Sequence, residues 1–264
     1  MRIKKKEKKK RKVGKIAAVL AIVIALILTG VGFVMSLNVR DMNNTVSIVM
    51  DELSKSGNLV EKDHDYKQIK LYGFMKFNVK QYDLEEVGNV CVMTVNMFGL
   101  MQMGTVVVTP YEKDVPLFST DFMYILRNRK YLLEMDNVML DTGEAYQAKV
   151  AEGQALIDSY DQFEYFPAEP SWLDDVQDIL ARKMSKDTNG LDEMTAQITK
   201  FYVDWVKNAP ELDDAGKAAK KAEAVKYANN LIEKGGLSTD VFKKALGEDF
   251  TRSFFQKVFF GTER

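Results

Sequence analysis

A run of twenty-two residues without a charge, Ile16 to Leu37, constrains this chain before any other feature does. At roughly 1.5 Å of rise per residue, a helix of that length covers about 33 Å, enough to cross the hydrocarbon of a bilayer. Ten Lys/Arg precede it within the first fifteen residues, whereas Arg40, beside Asp41, stands nearly alone after it. Basic flanks stay on the cytoplasmic side. The expected organisation is therefore a basic cytoplasmic tail (1–15), a transmembrane helix (16–37) and a domain (38–264) outside the cell membrane. A cleaved signal peptide is the alternative, but it usually has a shorter apolar core, and the residues between Gly30 and Ser36 make a poor cleavage site.

The formal net charge of −1 hides an asymmetry. The first fifteen residues carry +9, which leaves 27 basic against 37 acidic residues in the remainder, or −10. A lysine-rich tail could neutralise nucleic-acid phosphates. Next to an apolar span, however, it is explained by orientation and by attraction to anionic lipid, and the acidic remainder would repel a polyanion. The expected partner is the lipid bilayer, with no nucleic acid. One cysteine, Cys91, rules out an intrachain disulfide, so the fold must rest on burial and hydrogen bonds.

Residues 41–56 have apolar positions at helical spacing, Met42, Val46, Val49, Met50 and Leu53, ahead of Gly57 and Asn58. From Lys67 to Val79 the period becomes two, with Ile69, Leu71, Met75, Phe77 and Val79 on one side, which predicts a strand. Further strands are expected at 89–97, 104–109, 117–126 and 130–140, joined by short turns that favour an antiparallel meander. Helical texture follows at 144–160, 172–184, 192–207, 213–233 and 239–260. Strands first and helices later define an α+β class in which helices must cover the faces of a sheet.

Few constellations carry chemistry. Met93, Met97, Met101 and Met103, with Cys91, include soft metal ligands, but an apolar strand setting favours core packing. His64, the single histidine, lies between Asp63 and Asp65 in a polar stretch, so neither a usual zinc site nor a histidine-based triad has its parts. Glycine-rich phosphate loops are absent. Two carboxylates stand out: Asp121 within the apolar run 116–125, and Asp136 within 131–140. On a buried face their pKa values would rise toward a range useful for proton donation, whereas alternation alone would also allow the solvent face.

The segment Pro116-Leu117-Phe118-Ser119-Thr120-Asp121 resembles the P-[IL]-[FL]-G-x-D motif of the ferredoxin-dependent bilin reductases, with Ser119 in the glycine position. Asp136 falls close to the aspartate of that family's next strand. Residues Phe242 to Phe250, and then Val258-Phe259-Phe260, resemble its closing helix, and Pro167 to Trp172 resembles the Pro-Pro-Trp lead-in to its first late helix. The resemblance implies a three-layer α/β/α sandwich with a central antiparallel sheet, here preceded by one transmembrane helix. It implies a linear tetrapyrrole or similar flat conjugated ligand held between the sheet and the C-terminal helices. Electrons would come from an external donor, ferredoxin in the family, and protons from side chains, with no bound cofactor. Asp121 matches the family's proton-donating aspartate. Where some members have a histidine one strand earlier, Gly104 stands at the corresponding spacing, and where they have a glutamate before that, the residue is apolar, near Val92.

The expected function is a membrane-anchored bilin-reductase-like oxidoreductase, with Asp121 and Asp136 as candidate catalytic residues. The alternatives are a tetrapyrrole carrier or sensor and a structural or interaction module. An acidic domain outside the cell would meet an acidic, cytoplasmic ferredoxin poorly, which makes a membrane electron carrier the substitute donor. The topology has a direct test. Protease added to intact cells should remove a C-terminal tag and spare an N-terminal one, and protection of the C-terminal tag would reverse the assignment.

Overall fold

The structure, a computed structural model, describes residues 2–97 and 101–263, with side chains from Leu20 onward except that of Leu237. The side chains of the lysine block and of Ile16 to Val19 lie outside the described ones. A single helix, α1 (Arg2–Leu53), runs through both the apolar run and the amphipathic segment expected to follow it. It is long and apolar enough to cross a membrane, and its apolar window is unburied by protein. Beyond Leu37 its exposure changes: Asn38, Met42, Thr45, Val49 and Leu53 are buried at helical spacing against the domain.

Among the described residues nine strands form one antiparallel sheet: β1 (Leu59–Lys62), β2 (Gln68–Leu71), β3 (Met75–Leu84), β4 (Gly88–Met97), β5 (Met101–Pro110), β6 (Leu117–Ile125), β7 (Asn128–Asp136), β8 (Glu164–Tyr165) and β9 (Gln177–Ser185). Their order is β1-β3-β4-β5-β6-β7-β9-β8, with β2 also paired to β3. The expected strand from Lys67 to Val79 is a hairpin, turning at 72–74. The period of two survives because Ile69 pairs with Phe77 and Leu71 with Met75, and paired residues share a face.

The segment expected as a helix over 172–184 is a second departure. Ser171 does cap a helical turn, accepting from the Leu173 amide at 3.2 Å while its own amide donates to Asp174 at 2.9 Å. That turn is a single 3₁₀ turn, Trp172–Asp175, after which the chain enters β9. The residues of β9 are good helix formers, but β7 has an open edge, and pairing from Arg129↔Ser185 to Asp136↔Gln177 satisfies its backbone.

Helices α2 (Glu144–Asp158) and α3 (Thr188–Asn208) join the C-terminal part of α1 on one face of the sheet. Helices α4 (Asp214–Lys234), α5 (Leu237–Leu246) and α6 (Glu248–Phe254), with a closing π turn (Phe255–Phe259), cover the other. The helix expected over 239–260 is thus broken at Gly247, whose φ of +87° suits glycine. The result is a three-layer α/β/α sandwich with helices on both faces of an antiparallel sheet.

The approach of α1 to the sheet requires a glycine. A Cβ on Gly104 would stand 2.8 Å from Val46 Cγ2 and 3.3 Å from Met42 Cγ. Gly104→Val should therefore destabilise the full chain in detergent by about 1–3 kcal/mol, and the added substitution Val46→Ala should restore part of that in thermal unfolding. An unchanged melting temperature for the single variant would show that the helix does not pack as described.

Candidate functional site

The register of the sheet decides which side chains meet. Asp121 of β6 lies between Thr105 of β5 and Leu132 of β7, and Ser119 lies opposite Glu134. Alternation then sends Leu117, Ser119, Asp121 and Met123 to the face covered by α4 to α6, and sends Phe118, Phe122 and Tyr124 to the face of α1 and α3. A cavity of about 170 Å³ lies between that first face and the late helices. Its floor includes Met103, Thr105, Asp121, Met123 and Glu134, and its roof includes Leu173, Tyr227, Phe255, Phe259 and Phe260.

Asp121 keeps partial exposure through this cavity, with the Thr105 hydroxyl donating to its Oδ1. Burial raises its pKa, and the Thr105 hydrogen bond offsets only part of the rise. Asp136 is fully buried on the same face, two residues beyond Glu134 on β7. The Tyr227 hydroxyl donates to its Oδ2 at 2.5 Å, while its Oδ1 has no hydrogen-bond partner. Its pKa is raised by burial, against the opposing effect of the Tyr227 hydrogen bond. Asp136 thus reaches the cavity through Tyr227 and does not itself line it.

Glu134 is the carboxylate that sequence reasoning missed. It takes a 2.6 Å hydrogen bond from Gln177 Nε2 and lines the cavity. Its pKa is raised well above the ordinary value, first by burial and then by the charges of Asp136 and Asp121, with Arg182 opposing. The signal was available, since Glu134 is two residues from Asp136 on the same strand and so shares its face. Tyr227 had no such signal, because its place in the site depends on how α4 crosses the sheet.

Gly104, at the spacing of the family's histidine, points at α1, and the residue facing the cavity opposite Asp121 is Thr105. Val92 likewise belongs to the core beneath α1, whereas its neighbours Cys91 and Met93 belong to the opposite core. The methionines 93, 97 and 103 pack in that opposite core, and no metal-binding cluster of His, Cys, Asp or Glu occurs among the described residues. His64 sits between β1 and β2, where its Nδ1 accepts from the Tyr66 amide at 3.1 Å. It does not line the cavity.

The roof is held by buried amides. Asn89 Nδ2 donates to the carbonyls of Val258 and Phe259 at 3.2 Å each, and Gln81 Nε2 donates to Lys257 O at 3.1 Å and to Asn89 Oδ1 at 2.7 Å. The Tyr111 hydroxyl donates to the carbonyl of Phe260. These donors meet carbonyls that end-of-helix geometry leaves open, so the phenylalanines stay over the carboxyl groups. Burial thus raises the pKa of two carboxyl groups that line an apolar, aromatic cleft, Asp121 and Glu134, and of a third, Asp136, joined to that cleft through Tyr227.

Comparison with known proteins agrees with this architecture. No protein-family model matches the chain, and no curated protein does. Among solved structures, phytochromobilin synthase from tomato, crystallised in complex with biliverdin, is similar with a TM-score of 0.69 and 14% identity, over 84% of this chain and 83% of that one. The fold defined here is the fold of that bilin-binding enzyme.

Raised carboxylate pKa values give folding a pH dependence with a definite sign. The unfolded chain releases these protons near pH 4, while the folded chain retains them to higher pH, so the stability associated with these groups falls as pH rises. Asp136→Asn removes one such proton. Between pH 5 and pH 8 the variant should therefore lose less in melting temperature than the parent, whatever its constant offset. Parallel curves would mean that Asp136 is not held protonated.

Proposed function

We propose that this chain is a membrane-anchored protein that binds a linear tetrapyrrole between the sheet and helices α4 to α6, and reduces it when an external donor supplies single electrons. The observation that carries the reading is the trio Asp121, Glu134 and Asp136: three carboxyl groups with raised pKa values on one sheet face, beneath an aromatic roof, in the fold of a biliverdin-binding protein. Adding an electron to a conjugated ligand raises its basicity. An adjacent neutral acid then neutralises the developing charge without water. This reading assigns the first donation to Asp121, and it is supported by the lining of the cavity, which of the two predicted acids includes Asp121 alone, with Glu134 one residue pair away along the same face. Tyr227 and Asp136 form a buried pair behind them that can replace a proton.

The cavity of about 170 Å³ is smaller than the roughly 300–1,000 Å³ of typical ligand pockets, so binding has to move the roof. Gly235 and Gly236 between α4 and α5, and Gly247 between α5 and α6, supply the joints. On this reading the anchor and its charge asymmetry place the domain outside the cell membrane, where a membrane electron carrier replaces ferredoxin. A binding-only role is the second reading, favoured by the position of His64 outside the cleft.

Biliverdin added to the full chain in detergent should shift and sharpen its long-wavelength absorption, and a low-potential reductant should then bleach or shift that band. Asp121→Asn should keep binding while lowering turnover by about 10²-fold or more. Binding without turnover in the parent would select the carrier reading, and full turnover in the variant would move the proton donor to Glu134. No spectral change at all would overturn tetrapyrrole binding.

A further inference from the structure

The strand ends nearest the apolar part of α1 stand in a single row. Leu71 pairs with Met75, Met75 with Met97, Met97 with Met101, Met101 with Ile125 and Ile125 with Asn128. Two of the described turns that project from this row are apolar at their tips. Tyr72 is 52% exposed and Phe74 41% exposed, their rings 6.4 Å apart, and Leu126 is 54% exposed beside Arg127. The turns at the opposite end of the sheet carry Glu85, Glu86, Glu112 and Asp114 instead.

Leu126 is the more telling of these tips. It is the first of two residues joining β6 to β7 and has φ +54°, a position that such hairpins give to glycine. Tyr72, at φ +52°, occupies a similar conformation while glycine stands beside it at position 73. An apolar side chain in a strained turn with half its surface in water incurs both conformational and solvation cost, and strain of this kind is kept where it serves function.

The position of α1 identifies the occupant. Ile27, Val31 and Val34 share a groove with Leu126 and Arg127. Val31 and Val34 lie six and three residues before Leu37, the end of the uncharged run, or roughly 5–9 Å inside it along the helix. If α1 spans the bilayer, as the functional reading above requires, Leu126 is at the level of the outer acyl boundary. Arg127 and Lys186 are exposed at the same end, where their charges can reach the head groups, and Arg40, exposed there too, is paired with Asp41 at 3.1 Å.

We propose that this end of the sheet docks on the bilayer that α1 crosses, with Leu126, Tyr72 and Phe74 inserted at the interface and Arg127 paired to lipid phosphate. The domain is then a second membrane contact, and does not swing freely on its anchor. Docking also turns the methionine end of the ligand cleft toward the membrane, since Met103 and Met123 each lie two residues from the strand ends in that row.

The test uses the full chain in vesicles of phosphatidylcholine and phosphatidylglycerol with brominated acyl chains. An environment-sensitive fluorophore is attached to single cysteines introduced as Leu126→Cys, Phe74→Cys, Val60→Cys at the far end of the sheet, and Leu28→Cys within the span. The native Cys91 is buried and inaccessible to label. Bromolipid should quench the probe at 126 to within about twofold of that at 28, quench that at 74 less, and leave that at 60 unquenched. Quenching at 28 but not at 126 overturns the docking alone and leaves the anchor standing. No quenching at 28 removes the anchor and the docking together. A blue-shifted probe at 126 that bromolipid does not quench would assign the tip to a protein contact and overturn the lipid proposal.

Discussion

A sheet that is apolar on both faces has to be covered twice, and the rest of this molecule follows from how the two covers are supplied. One cover comes from the beginning of the chain. The helix that exposes its whole surface at Leu20 to Phe33 becomes, from Asn38 onward, a core element with one buried stripe. A polar cluster fixes it there: Thr45 Oγ1 lies 2.5 Å from Tyr124 Oη, 2.9 Å from Tyr131 Oη and 2.5 Å from Asp192 Oδ1. The half-buried ion pair of Arg129 with Asp41, at 3.1 Å, adds a second link. These contacts fasten the C-terminal part of α1 to β6, β7 and α3.

The other cover comes from the end of the chain, and it closes over acids. The partners of the three carboxyl groups are neutral: Thr105 for Asp121, Gln177 for Glu134 and Tyr227 for Asp136. Neutral donors do not supply the charge that would hold a carboxylate ionised, so burial outweighs them, and Arg182 beside Glu134, and all three pKa values are raised. Elsewhere the same protein buries a charge differently. Lys220, seven residues before Tyr227 on α4, directs its ammonium to Asp114 at 2.9 Å and to the carbonyls of Val115 and Val138 at 2.7 and 2.8 Å. That clamp sets the helix against the sheet, and two turns later the same helix face delivers the Tyr227 hydroxyl to Asp136.

Much of this was legible in the residues. Alternation and runs rich in Val, Tyr, Phe and Ile gave β2 to β7, though not β1, β8 or β9, and alternation left open whether the face of Asp121 met water or protein. Only the arrival of α4 to α6 decides that. The misread helix at 172–184 shows the same limit from the other side: Leu180, Ala181, Arg182, Lys183 and Met184 favour a helix locally, and the unpaired edge of β7 overrides them. Gly104 was visible as a residue in the place of a histidine. Its role as the point where α1 approaches the sheet required knowing that the helix beyond the apolar run folds back onto β5.

The two covers also divide the work between the faces. Since α1 packs on the face of Phe118, Phe122 and Tyr124, it does not obstruct the cleft on the face that carries Asp121. The roof of that cleft is the last part of the chain, jointed at Gly235-Gly236 and Gly247 and fixed at its end by Asn89, Gln81 and Tyr111. The phenylalanines over Asp121 and Glu134 are therefore tied to the sheet through the backbone that carries them, whereas α5, set between the two glycine positions, is held to them by the packing of Phe242 on Phe254 and Phe255.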